Sequence, residues 1–238
     1  MTVTAASATA ADATALEHLL GSDRVLRDPE SLERYRHDDA EWADSTAPLA
    51  VVLARSTDDV VTAVRWAAAA GLRVVPRGAG TGLSGGANAM ADSIVVSLER
   101  MDRVLEVNTD ERYAVTEPGV INDALRAAVA EHGLWYPPDP ASSAISTIGG
   151  NVATNAGGIC CVKYGVTRDY VLGMTVVLAD GSVVELGRRT AKGVAGYDLT
   201  GLMVGSEGTL GIVVSVTVQL LPLAGRDERA VIGDFPSL

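Results

Sequence analysis

Basic residues, cysteine and long apolar runs are what this 238-residue chain has least of. Lysine occurs only at Lys163 and Lys192. Lys plus Arg total 19 against 30 Asp plus Glu, a formal net charge of −11. Binding to a phosphate backbone runs on Lys and Arg, so nucleic acid is not an expected partner. Arginine is plentiful, and the scarcity of lysine reads as compositional bias. The two cysteines, adjacent at Cys160 and Cys161, make no disulfide framework and point to a reducing cytoplasm. No run approaches the ~18 apolar residues of a transmembrane helix. Met1 to Ala15 lacks the basic start and apolar stretch of a signal peptide, and Met1 to Thr9 reads as a disordered tail. What is present suffices for a core: 47% hydrophobic and 21% charged residues are the proportions of a globular protein. The length fits one large domain or two modest ones.

Patterning places the elements. Asp12 to Leu20 predicts a short helix with Gly21 as its stop, and Ser22 to Pro48 shows no periodicity. Ala50 to Ala54 predicts a strand. Ser56-Thr57-Asp58-Asp59 fits a helix start, Val60, Val64, Ala67 and Ala68 fall on one face, and Gly71 ends the helix. Arg73 to Pro76 and Ile94 to Leu98 predict strands. Arg103 to Val107 and Tyr113 to Glu117 predict two more, followed by a helix from Ile121 to His132. Trp135 to Cys161 reads as irregular, and a long loop of that kind in a compact domain is usually functional. Val171 to Ala179 and Ser182 to Leu186 predict a hairpin across Asp180-Gly181. In Ile212 to Leu220, Val214, Val216, Val218 and Leu220 alternate with Ser215, Thr217 and Gln219, a strand with two unlike faces.

Three glycine-rich stretches carry the chemistry. The first is Pro76-Arg77-Gly78-Ala79-Gly80-Thr81-Gly82-Leu83-Ser84-Gly85-Gly86. Glycine lets backbone N–H groups converge on an anion, and Thr81 and Ser84 add hydroxyls. At Gly82, both close backbone approach and a φ forbidden to other residues are expected. The letters G-x-G-x-x-G occur within the stretch, but Ala87 to Ser93 is too short for the helix that a dinucleotide fingerprint requires. No phosphate-binding G-x-x-x-x-G-K-[ST] occurs either. The second stretch is Ile148 to Gly158, preceded by Pro137-Pro138-Asp139-Pro140-Ala141-Ser142-Ser143. The third is Gly205-Ser206-Glu207-Gly208-Thr209-Leu210-Gly211-Ile212. Each alone fits a turn; three together point to one long phosphate-bearing ligand.

With Lys163-Tyr164-Gly165-Val166-Thr167-Arg168-Asp169 and Gly196-Tyr197-Asp198-Leu199, these stretches resemble the FAD-linked oxidase family, also called the vanillyl-alcohol oxidase type. The nearest branch looks like the D-lactate dehydrogenases and the FAD subunit of glycolate oxidase. The resemblance runs from Ser22 to the C-terminus and implies an α+β FAD-binding domain in two subdomains, a small α/β one and a larger, mainly antiparallel sheet flanked by helices. On that division 1–21 is a tail and short helix, 22–100 and 101–225 are the subdomains, and 226–238 begins a substrate (cap) domain that this chain lacks. The resemblance implies that Pro76, Arg77, Gly78, Ala79, Gly80, Thr81, Gly82, Leu83, Ser84 and Gly85 cradle the FAD pyrophosphate. Pro138, Asp139, Ser142 and Ser143, with Ile148, Gly149, Gly150, Asn151, Ala153, Asn155, Gly157 and Gly158, run along the pyrophosphate, ribityl chain and flavin. Glu207, Gly208, Gly211 and Ile212 lie by the adenosine half. No suitably placed tethering residue is seen, so FAD is expected to be held non-covalently.

The implied reaction is oxidation of a 2-hydroxy acid of the D-lactate or glycolate type by hydride transfer to FAD, with a quinone, cytochrome or other carrier as electron acceptor. The location is cytoplasmic or peripheral to the inner membrane face. Two alternatives stand beside it: a flavin-binding subunit that needs a partner chain, and a cell-wall precursor reductase of related FAD fold that uses NADPH. Full-length members carry a cap domain and a histidine-rich metal motif. Here His18, His37 and His132 are not spaced for a metal, so no metal site and no catalytic base are expected, and the chain alone is expected to be inactive. Cys160 and Cys161 read as two partly buried thiols, Lys163 as a salt-bridge or cofactor residue, and Trp135-Tyr136 as core.

Overall fold

The computed structural model describes residues 10–40, 42–190, 195–223 and 225. The tail Met1 to Thr9, Lys192 and the segment 226–238 lie outside the described residues. Helix α1 (Ala10–Leu20) leads through β1 (Val25–Leu26) and α2 (Pro29–Glu33) to β2 (Ala50–Leu53), α3 (Thr57–Ala70), β3 (Arg73–Arg77) and β4 (Ser93–Ser97). These strands form a sheet in the order β1-β2-β4-β3, with β4 parallel to both neighbours and β1 antiparallel. Every residue of β2 and β4 is buried, as a parallel sheet covered on both faces requires. Ala50, Val52, Ile94 and Val96 face α1 and α3; Val51, Leu53 and Val95 face Leu32 and Ala89.

The ends of α3 follow from its sequence. The Ser56 side chain accepts a hydrogen bond from Asp59 N, and Gly71 closes the helix in the left-handed region at φ 68. Its buried face is Val60, Ala63, Val64 and Ala67. Ala68, expected on that face, is exposed, because eight residues of helix carry it about 80° round from Val60, on the side away from Ala63.

The second sheet begins with β5 (Val104–Asn108) and β6 (Tyr113–Thr116). Then come α4 (Asn122–Ala130), β7 (Leu134–Trp135), α5 (Ile148–Thr154), α6 (Cys161–Tyr164), α7 (Thr167–Tyr170), β8 (Val171–Val177), β9 (Val183–Gly187), α8 (Leu199–Met203), β10 (Ile212–Gln219) and β11 (Leu221–Pro222). Strands β5-β6-β10-β8-β9 make an antiparallel sheet, and β11 pairs with β7. The class is α+β. The β8–β9 hairpin turns at Asp180-Gly181, with Gly181 at φ 76 and Val177 opposite Val183. Along β10 and just past it, Val216, Val218 and Leu220 are buried in one core with α4 and α5, while Val214 is buried in the core of the first sheet. Thr217, expected on the open face, is buried as well, because it sits mid-sheet between Val115 and Gly173.

Sequence periodicity predicts no helix between Trp135 and Cys161, yet α5 forms there. Thr147 caps it, its hydroxyl accepting from Gly150 N at 3.2 Å, and Ile148 and Val152 bury its inner side in the core of the second sheet. Two adjacent glycines lower the helix propensity of a seven-residue segment, so tertiary packing, not propensity, makes this helix. Among the described residues no helix is long and apolar enough to cross a membrane.

Candidate cofactor site

Strand β3 ends at Arg77 and the chain runs directly into the first glycine loop, with no helix before β4. Gly80 and Gly85 adopt the left-handed region, at φ 77 and φ 80. Gly82 does not, which corrects the expectation for its backbone. Its constraint is space: a Cβ there would stand 3.2 Å from Asp38 Oδ2. The backbone N–H groups of residues 78–84 donate to no described residue. Backbone donors left unpaired in a concave site are costly unless something accepts from them.

This loop is clamped from the side by residues 36–40, 43 and 44. Asp39 N donates to Gly82 O at 2.9 Å and Ala89 N to Arg36 O at 2.8 Å. The buried Asp38 carboxylate accepts from Ala40 N at 2.9 Å and Ala87 N at 3.4 Å, and Asp38 N donates to Asn88 Oδ1 at 2.8 Å. Asn88 Nδ2 reaches back to the Ala43 carbonyl at 3.2 Å. Arg77 is buried under the turn. Its Nη1 donates to Ala87 O at 3.4 Å, its guanidinium lies 5.9 Å from the Tyr35 ring, and burial pulls its pKa down against the field of Asp38. Tyr35, half-buried and donating to Glu99 Oε1 at 2.7 Å, is pushed up to about 12, by burial first and by the bond to Glu99 next.

Helix α5 is where the other two loops meet the first. Gly78 packs so closely on Thr147 that a Cβ would fall on its hydroxyl, and one at Gly149 would meet the Pro118 ring. The third loop docks on the far end of α5 through Gly205 N to Val152 O at 3.0 Å and Glu207 N to Ala153 O at 2.9 Å. It also presses against the first loop, where a Cβ at Gly208 would enter Pro76 and one at Gly86 the Glu207 carboxylate. Asn155, left-handed at φ 51, ends α5 and accepts from Arg168 N at 2.9 Å. Inside, Asn151 Nδ2 donates to Asn122 Oδ1 at 3.0 Å and Asn122 Nδ2 to Pro138 O at 3.1 Å. That buried amide chain ties the 138 segment to α4 and α5.

Together the three loops enclose a cavity of about 370 Å³. Of the residues expected from sequence it is lined by Pro76, Arg77, Gly78, Ala79, Gly80, Thr81, Gly82, Leu83, Ser84, Ser142, Gly149, Gly150, Asn151, Ala153, Asn155, Gly157, Glu207, Gly208, Gly211 and Ile212. Six expected residues are not on the wall. Gly85 packs on Ala43; Pro138 accepts from Asn122; the Asp139 carboxylate accepts from Cys160 N at 3.1 Å; the Ser143 carbonyl accepts from Asp123 N; Ile148 is core; and a Cβ at Gly158 would strike the Asp139 carbonyl. They hold the wall up rather than form it. Asp38, Ala87, Leu98, Pro118, Thr147 and Val213 line the cavity without having been anticipated. Thr147 is legible as a helix cap two residues before the Gly149-Gly150 pair; Asp38 sits in an aperiodic stretch with no signal.

Residues weighed beside the loops fall outside the cavity. Cys160 and Cys161 are free and half-buried, and the hydrogen bond to Asp139, with burial, raises Cys160 above the ordinary thiol range. Lys163 stands 4.8 Å over the Tyr164 ring. Tyr136 is fully buried and Trp135 packs edge-on against Tyr164 at 4.9 Å. His18, His37 and His132 are exposed.

Residues 48–187 match the FAD binding domain family. The chain is a member of the FAD-linked oxidase family. Among curated relatives it is 46% identical to the glycolate oxidase subunit GlcD of Bacillus subtilis, over 77% of this chain and 39% of that protein. It is 44% identical to a D-2-hydroxyglutarate dehydrogenase of Stutzerimonas stutzeri, over 94% and 48%, and 42% identical to a D-lactate dehydrogenase of Anaerostipes hadrus, over 84% and 42%. It therefore spans less than half the length of these relatives. The solved structure of an alkyldihydroxyacetonephosphate synthase shares the fold, with TM-score 0.79 at 22% identity over 93% of this chain and 42% of that one. FAD is the family's cofactor and this chain's. The cavity suits it on two grounds independent of the family: unpaired amides that can meet a pyrophosphate, and glycine walls that admit close approach.

Proposed function

We propose that this chain is the FAD-binding part of a flavin-dependent oxidoreductase that converts a 2-hydroxy acid of the glycolate, D-lactate or D-2-hydroxyglutarate class to its 2-oxo acid. The observation that carries the reading is the row of unpaired N–H groups from Gly78 to Ser84, on a wall shared with α5 and the third loop. FAD held there would supply a two-electron acceptor for the hydride of the substrate Cα and a route for the electrons to a quinone, cytochrome or other carrier.

In this reading the 78–84 amides hold the pyrophosphate. Ser142, Gly149 to Asn151, Ala153, Asn155 and Gly157 line the ribityl and ring portion, and Glu207 to Ile212 the adenosine half. The two subdomains, 22–100 and 101–225, contribute one wall each. Binding is non-covalent in this reading: no cysteine or histidine is among the described residues that line the cavity. The titratable groups on the described wall are Asp38, Arg77 and Glu207. Asp38 is committed to the Ala40 and Ala87 amides, and the Glu207 carboxylate lies against Gly86. In this reading Asp38 lies by the pyrophosphate loop and Glu207 by the adenosine half, so neither stands at the flavin end, where the proton of a substrate hydroxyl has to be taken. The base must come from elsewhere, from further chain or from a second protein. A partner chain is the second reading; two relatives, from Bacillus subtilis and Escherichia coli, are named as glycolate oxidase subunits. Free thiols at Cys160 and Cys161 fit a cytoplasmic location, with or without attachment to the inner membrane face.

The test is the flavin spectrum of the purified 238-residue chain, followed anaerobically after mixing with D-lactate, glycolate or D-2-hydroxyglutarate. A yellow protein that releases its colour to the supernatant on acid precipitation, and bleaches with dithionite but not with the acids alone, is expected. Colourless protein refutes the FAD site. Colour that stays in the pellet refutes non-covalent binding, and fast bleaching by an acid alone shows that the base is present after all.

A further inference from the structure

The cavity poses an electrostatic problem that neutral amides do not solve. The chain carries a net charge of −11, and two of the three charged side chains on the wall, Asp38 and Glu207, are carboxylates. A pyrophosphate brings two further negative charges. Arg77 is the one cation among the described lining residues. It is only 8% exposed, and it makes no ion pair within 4.0 Å among the described residues. A buried, unpaired guanidinium is unfavourable unless an anion compensates it.

Its geometry shows where that anion belongs. Of its five donors, one makes a long contact, Nη1 to Ala87 O at 3.4 Å. None of its nitrogens is sealed off from solvent without a partner, and the residue itself lines the cavity. The left-handed turn at Gly80 folds over the guanidinium so closely that a Cβ there would fall on it. Tyr35, held by Glu99, backs it from behind.

We infer that Arg77 is a positioning residue whose buried charge, set beneath the 78–82 turn, lets an acidic protein hold a dianionic cofactor; this rests on the FAD reading above. The amides fix the phosphate oxygens, and the guanidinium offsets the repulsion from Asp38 and Glu207. Charge, not shape, is its contribution.

The test compares the FAD-loaded 238-residue chain with Arg77→Lys and Arg77→Met, reading the dissociation constant from flavin fluorescence recovered on dilution, with riboflavin as the probe lacking phosphate. Arg77→Met should weaken FAD about 30-fold, the scale of one charged hydrogen bond, and leave riboflavin unchanged. Arg77→Lys should stay within about 5-fold of the parent. Raising salt from about 0.05 to about 0.5 M should weaken the parent and the Lys variant but scarcely the Met variant. FAD binding by Arg77→Met close to the parent's overturns the inference, as does a Lys variant as weak as Met with riboflavin falling in step. If circular dichroism shows Arg77→Met unfolded, the Lys variant decides alone: retained FAD supports the charge role and lost FAD ends it. A parent chain that never retains FAD removes the FAD reading and this inference together.

Discussion

Single glycines decide the first loop, and they do so for different reasons. Gly80 is held at φ 77 over the Arg77 guanidinium, so backbone and neighbour both forbid a side chain. Gly82 has ordinary backbone and is limited by Asp38 Oδ2 at 3.2 Å. A valine there presses on a buried carboxylate that two amides hold in place. Gly82→Val is therefore expected to lose most of its FAD while keeping its far-ultraviolet circular dichroism; full flavin occupancy in that variant would take the 78–84 turn out of the pyrophosphate site. The presence of this loop was legible in sequence because glycine and hydroxyl residues spaced after a strand leave few other physical uses. Which glycine needs φ > 0 was not legible, since spacing says nothing of the neighbour that each one meets. Asp38 was invisible for the same reason: the partners that bring it to the loop lie 49 and 50 residues away, at Ala87 and Asn88.

Elements were legible where amphipathic pattern and caps agree, as in α3 and β10, and illegible where tertiary contacts do the work, as in α5. The buried amide chain Asn151–Asn122–Pro138 stands in for the propensity that α5 lacks. Asn122→Ala leaves the Asn151 amide and the Pro138 carbonyl unpaired in a dry site, at about 2–4 kcal/mol. Urea unfolding of the folded chain should show that loss, and FAD retention should fall with it, because Asn151 and Gly149 line the cavity. A second pin is the pair Arg103–Glu117, at 2.7 Å, beside the Pro118 wall. Burial would raise the Glu117 carboxyl, but its hydrogen bonds and charge contact with Arg103 outweigh that and leave it below the ordinary range. A depressed folded pKa stabilises above the unfolded value near ~4.3, and the contribution fades as pH falls through the lower folded value. In Arg103→Met the guanidinium's hydrogen bonds and charge are gone, and burial is opposed only by the backbone N–H of residue 103, which still donates to Glu117 Oε2. Its acid unfolding, followed by circular dichroism, should begin at higher pH than the parent's, and coincident curves would show that the pair is inert.

For the whole molecule, the two sheets are joined through one core, in which Val177, Ile212 and Val214 pack with the residues of the first sheet. A ligand that touches loops from both should therefore stabilise all of it. FAD at about 100 times its dissociation constant is expected to add about 2.7 kcal/mol and to raise the melting temperature in one cooperative step. Two transitions, only one of them moved by FAD, would show that the cofactor grips a single sheet. The topology that makes this possible also sets an order of events. Strand β10 lies between β6 and β8 in the middle of its sheet, yet it follows both in sequence, and the third loop immediately precedes it. On the ribosome, the hairpins on either side wait with open edges until the last part of this stretch emerges. Pairings of such separation close slowly and leave edges exposed to aggregation meanwhile. Flavin capture then waits until residues 205–220 have emerged, and recovery of soluble protein should respond to how fast they are delivered.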